Sequence, residues 1–159
     1  MIDLTKMGAE LDRDEGTRLV VYDDATGEPI GPGSRVIGNP TIGTGRCLTN
    51  RNGISKDEAD YLRNNDVNGK LAQLDQRPWF AAMPPDRQRA IVNMAFQMGV
   101  AGVQTFGEMI AAIEAGDWTK AADAAMASRW ARQAPARAAR VTTLLEYGDT
   151  PPAMPAGPA

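Results

Sequence analysis

The chain has 159 residues, 43% hydrophobic and 23% charged, with a formal net charge of −3, a single cysteine and no histidine. No apolar run approaches the roughly 20 residues of a membrane-crossing helix, and a net acidic chain argues against general nucleic-acid binding. The missing histidine removes the central residue from Ser-His-Asp and Cys-His hydrolysis and from His-ligated zinc chemistry. Any hydrolysis must therefore run on carboxylates.

The length predicts one domain, or two lobes sharing a helix, with enough chain to bury a core. Cys47 has no intramolecular disulfide partner and reads as a packing residue. The N-terminus, Met1-Ile2-Asp3-Leu4-Thr5-Lys6, lacks the apolar centre of a signal peptide, so initial retention in a cytoplasm is expected. Charge is uneven. Residues 1–30 hold eight acidic groups against three basic ones, whereas residues 118–147 hold five basic groups against two acidic. The basic segment is either a solvated helix face or a surface turned toward anionic groups.

Leu4, Met7 and Leu11 recur at helical spacing and predict a helix over 4–14, ending beside Glu15-Gly16. Arg18 to Tyr22 reads as a strand and 23–27 as a turn. Residues 28–40 read as a Pro- and Gly-rich loop, and Thr41 to Gly45 as a second strand. Ser55-Lys56-Asp57-Glu58 is a capping box opening a long helix to Leu74. Further helices are predicted from Pro85 to Gly99, over 106–115, over 118–128 and over 136–147. The fold class is thus α+β: a small antiparallel sheet lobe (about 16–54) and a larger helical lobe (about 75–148 plus the N-terminal helix). A long helix joins them, with a cleft between, in one domain over 1–148. The Pro/Ala-rich tail 149–159 is expected to be disordered.

Glu15 and Asp24 place two carboxyls in different settings, one at a helix end and one past a strand. Glycosidic-bond cleavage uses such a pair, one protonated for the leaving oxygen and one ionised. Each residue also has an ordinary reading. Glu15 could be a solvated helix-end carboxylate, Asp24 a turn former and Thr41 a strand threonine.

The segment from Glu15-Gly16 through Tyr22-Asp23-Asp24 to Thr41-Ile42-Gly43-Thr44-Gly45 resembles the active-site region of the T-even phage lysozymes (glycoside hydrolase family 24). The spacing of nine from Glu15 favours Asp24 over Asp23. The likeness continues in Asp57-Glu58-Ala59, Asn65-Asp66-Val67, Asn93 to Gly99, Ser128-Arg129-Trp130 and Pro135 to Val141, covering about residues 5–145. It implies a lysozyme-like fold and a muramidase that cleaves the β-1,4 bond between N-acetylmuramic acid and N-acetylglucosamine in peptidoglycan. Glu15 matches the general acid, Asp24 the second carboxylate and Thr41 the water-positioning threonine, a scheme that inverts the anomeric centre. Phe96 and Gln97 match cleft-lining residues and Arg137 an acid-orienting arginine. Phe96 could equally be core, and Arg137 could serve surface pairing.

Two departures stand out: residues 25–40 exceed the family's usual spacer, and Arg46 replaces a frequent histidine. No metal or cofactor is implied. A monomer without stable membrane insertion or nucleic-acid binding is expected, made in a host bacterial cytoplasm and released to the periplasmic wall through a holin-type lesion. The rival readings are a lytic transglycosylase and a non-catalytic wall-binding domain.

Overall fold

A computed structural model describes residues 2–49 and 53–151. The chain is α+β, and it divides into two compact units, Met1–Asp60 and Tyr61–Ala159.

In the first unit, α1 (Leu4–Glu15) starts at Asp3, whose carboxylate accepts from the Thr5 and Lys6 amides. It stops at Gly16, where a φ of 72° breaks the helical path. Three antiparallel strands follow in the order β1 (Arg18–Asp23), β2 (Pro40–Gly43) and β3 (Arg46–Cys47). Tyr22 pairs with Thr41 and Asp23 with Pro40, and the register shifts between Arg18 and Tyr22. The single strand expected over 41–45 is therefore corrected. Gly43 and Gly45 take φ of 65° and 73°, which reverses the chain at Thr44-Gly45 and starts β3 at Arg46.

The long loop has an ordered base. Tyr22 bridges to Pro29, and the Ile30 amide donates to the Val21 carbonyl at 2.9 Å. The predicted capping box is present: Ser55 N donates to Glu58 Oε2 at 2.7 Å, and Glu58 N to Ser55 Oγ at 3.2 Å. Arg46 pairs with the other Glu58 oxygen, tying β3 to the start of α2 (Lys56–Leu74). Ser55 first, and Arg46 after it, hold the Glu58 carboxyl below its usual range.

The deepest burial in this unit is polar, while Val21, Tyr22, Ile42 and Leu48 are half-buried. Its only fully buried residues among those described are Asp23 and Thr41, each 3% exposed. Leu19, with its side chain on β1, is 86% exposed. α1 lies in the same compact unit as the sheet.

The second unit is helical. The later part of α2 leads to α3 (Pro78–Ala81), α4 (Pro85–Val103), α5 (Gly107–Glu114), α6 (Trp118–Met126), α7 (Arg129–Gln133) and α8 (Pro135–Tyr147). Gly99, at φ 78°, breaks α4 where the sequence predicts an end. The short α3 and α7 were not predicted. Leu74, Phe80, Ile91, Met94, Met109 and Leu145 are fully buried, each worth about 1.5–3 kcal/mol of transfer free energy. Alanines 121, 125 and 138 are also fully buried where α6 and α8 pack together. Trp79 and Trp130 make edge contacts with Phe80 and Phe106, and Trp118 carries the Arg87 guanidinium on its ring.

At the chain's far end, Asp149 pairs with Arg89, and its amide donates to Asp86 Oδ2 at 3.4 Å. The first residue of the expected disordered tail is thus held. Residues 152–159 of that tail lie outside the described residues. No described helix is long and apolar enough to cross a membrane.

Candidate active site

Glu15 is the last residue of α1, and its carboxyl is solvent-exposed. The turn joining β2 to β3 lies beside it: a Cβ placed on Gly45 would stand 3.8 Å from Glu15 Oε2. Three polar side chains fasten that turn to the helix. Asp12 Oδ1 accepts from Thr17 Oγ1 at 2.8 Å and from Thr44 Oγ1 at 2.9 Å, and the two hydroxyls are 3.1 Å apart. Thr17 above all, then Thr44, holds the Asp12 carboxyl below its usual range. Asp12 lies one helical turn before Glu15, so its bonds fix the helix end against the hairpin tip.

Asp23 and Asp24 differ sharply. Asp23 accepts backbone amides from Ala25 at 3.0 Å, Ile37 at 2.6 Å and Gly38 at 2.9 Å, closing the loop at its base. Asp24 is exposed. Its Oδ1 accepts from Asn39 N at 2.7 Å and its Oδ2 from Asn39 Nδ2 at 3.1 Å. Thr41 donates its hydroxyl proton to the Asn39 carbonyl at 3.2 Å. The structure therefore brings Asp24 and Thr41 to one shared neighbour. The Asp12 cluster and Asn39 were both missed in the sequence, because the bonds that define them, Asn39 to Asp24 and Thr44 to Asp12, join residues 15 and 32 apart and leave no local pattern. The long 25–38 spacer gave the one available hint, since it had to be closed by something.

Phe96, Gln97 and Arg137 all belong to the second unit. Phe96 is 44% exposed and, with Arg137, lines a largely apolar groove of about 460 Å³ whose walls include Val67, Leu71 and Val92. Gln97 lines a different hollow of about 630 Å³, and its Oε1 accepts from the Trp130 indole at 2.9 Å. Arg137 donates through Nε to Asn93 Oδ1 at 2.8 Å and through Nη2 to the Asn93 carbonyl at 2.9 Å. The sequence did not identify Asn93 as its partner. Among the described residues no group of His, Cys, Asp and Glu could hold a metal ion.

An exposed helix-end carboxyl beside a glycine turn, with a second carboxylate held next to a strand threonine, suits acid-assisted hydrolysis. The small antiparallel sheet followed by helices is the α+β plan of a lysozyme-like fold. A model of the phage lysozyme family matches residues 12–145, and the chain belongs to that family.

Among its relatives, the pre-baseplate central spike protein Gp5 of Enterobacteria phage T4 is 38% identical over 160 residues, covering 90% of this chain but 28% of that protein. "Probable T4-type lysozyme 1" of Dictyostelium discoideum is 32% identical over 99 residues, covering 60% of this chain and 58% of the relative. "Probable T4-type lysozyme 2" of the same organism is 28% identical over 164 residues, covering 85% and 90%. The chain thus spans little more than a quarter of the spike protein and under two thirds of the first Dictyostelium relative.

Proposed function

We propose that the chain is a muramidase, hydrolysing the β-1,4 bond between N-acetylmuramic acid and N-acetylglucosamine in peptidoglycan with inversion. The observation that carries this reading is Glu15 at the end of α1 beside the Gly45 turn, inside the stretch matched by the family. Glu15 gives its proton to the glycosidic oxygen as the C1–O bond breaks. Water attacks C1 from the opposite face and loses a proton to Asp24. Thr41, its own proton engaged by Asn39, keeps its oxygen lone pairs as acceptors for the other water hydrogen. The product is an α-configured reducing end, and proton exchange with solvent resets both carboxyls. By resemblance, Phe96 and Gln97 are assigned to glycan contact and Arg137 to orienting the acid.

The test is turbidity loss of outer-membrane-permeabilised Gram-negative cells with wild type and Glu15→Gln, with mass and anomer analysis of released muropeptides. Clearing by wild type alone, with fresh α-muramic ends, is the expected result. Anhydro ends would replace hydrolysis by transglycosylation. A folded wild type that cuts nothing would leave a wall-binding domain.

For the setting, release from the host cytoplasm through a holin-type lesion is one reading. The 38% identity to a protein named as a central spike favours a second, in which the chain cuts the wall as part of a virion. Mass spectrometry of purified particles against the cleared lysate separates them.

A further inference from the structure

Asn39 bonds to both candidate water-handling groups, Asp24 and Thr41. Its amide and its side-chain Nδ2 each bind a different oxygen of the Asp24 carboxylate, at 2.7 and 3.1 Å. Its carbonyl accepts from the Asp24 amide at 3.1 Å and from Thr41 Oγ1 at 3.2 Å. Its Oδ1 accepts from Thr49 Oγ1 at 3.0 Å, and that hydroxyl lies 3.3 Å from Cys47 Sγ. The direction of the side-chain amide follows from chemistry: a carboxylate only accepts, so Nδ2 must face Asp24 and Oδ1 must face the Thr49 hydroxyl.

We propose that Asn39 is a positioning residue for Asp24, setting the plane of its carboxylate relative to Thr41; this rests on the reading of Asp24 as the water-handling carboxylate. An aspartate on an exposed turn is free to rotate about two bonds. One hydrogen bond leaves the plane of its carboxylate undefined, whereas donors on both oxygens fix it. Asn39 can do this because it is itself held on three sides, and because Asp23 binds the preceding amides of Ile37 and Gly38. Amides 37, 38 and 39 are thus taken in succession by two adjacent carboxylates, so the long loop delivers Asn39 to Asp24. The extra residues of this spacer become part of the catalytic arrangement.

The test compares steady-state turnover of soluble peptidoglycan fragments by the full chain carrying Asp24→Asn, Asn39→Ala, Asn39→Asp, Thr49→Val, and Asp24→Asn with Asn39→Ala. The Ala variant should lose about tenfold in kcat with KM nearly unchanged, by the usual cost of a misoriented catalytic group. The Asp variant keeps the size and the Thr49 acceptor but sets a second negative charge against Asp24, and should lose more with its fold intact by circular dichroism. Thr49→Val, which frees only the outer end of Asn39, should fall between wild type and Asn39→Ala. The double variant should be no slower than Asp24→Asn alone, because Asn39 acts only through that carboxylate.

Wild-type kcat in both Asn39 variants, or additive losses in the double variant, would overturn the role of Asn39 while leaving Asp24 in place. Full turnover by Asp24→Asn would instead sink the reading of Asp24, and the role of Asn39 with it. If Asn39→Ala does not fold, Asn39→Asp and Thr49→Val carry the same decision.

Discussion

Asp23 and Asp24 are adjacent in the chain, yet one is buried under three backbone amides and the other holds Asn39 in the open. Asp23 is the last residue of β1 and Asp24 the first of the turn after it: one carboxyl is buried and closes the loop, and its neighbour is exposed. A structural and a candidate catalytic aspartate therefore stand side by side with separable behaviour.

That separation predicts an acid response. The Ile37 amide above all, with those of Ala25 and Gly38, holds the Asp23 carboxyl below its usual range, against the opposing effect of burial. A carboxyl whose folded pKa is depressed contributes stability above its unfolded value, about 3.9, and loses it as pH falls through the folded value. Asp23→Asn should lower Tm at pH 7, since an amide nitrogen would face backbone donors. Its gap from wild type should narrow below about pH 4. Thermal unfolding from pH 7 to pH 2 checks both points.

Gly38 leaves no room for a side chain. A Cβ there would overlap Asp24 Oδ1 and stand 2.7 Å from Ala25 Cβ and 2.8 Å from its amide nitrogen. Gly38→Ala should cost about 1–3 kcal/mol by overpacking and should displace the Asp24 carboxylate. Denaturant unfolding alongside turbidity clearing should show loss of both stability and rate.

Asp12 holds the hairpin tip through Thr17 and Thr44. Asp12→Ala should reduce clearing by about tenfold by loosening the turn beside Glu15, while Asp12→Asn, which retains an acceptor oxygen, should recover most of it. Faster amide exchange at Thr44 and Gly45 in the Ala variant would locate the effect.

In the helical unit, Trp130→Phe removes the indole bond to Gln97 while keeping most of the ring packing against Phe106. A loss of about 1 kcal/mol is expected for one hydrogen bond. It should vanish when Gln97 is also replaced by leucine, a double cycle that urea unfolding can resolve.

The sequence made the longer helices legible because their signals are local: the Ser55-Glu58 box, Pro85 at a helix start, and Gly16 and Gly99 at breaks. α3 and α7, of four and five residues, are too short to show a period. The strand over 41–45 was overextended because Gly43 and Gly45 look neutral in a pattern and declare themselves only through their φ angles. At the candidate site, Glu15, Asp24 and Thr41 were picked out by spacing and family likeness. Asp12, Asn39 and Asn93 act through bonds to residues distant in the chain, and periodicity carries no trace of these.

The polar interior of the first unit also bears on calorimetry. Heat-capacity change on unfolding comes from apolar surface newly exposed to water, whereas exposed polar surface subtracts from it. A unit whose only fully buried described residues are an aspartate and a threonine has little of the first kind to expose. Its stability curve should be shallow, changing little on cooling. The helical unit, with its buried Leu, Ile, Met and Phe, should follow a sharply domed one. In the cold, the two halves of the same chain should age differently: the aliphatic half loses its grip, and the hydrogen-bonded half keeps it.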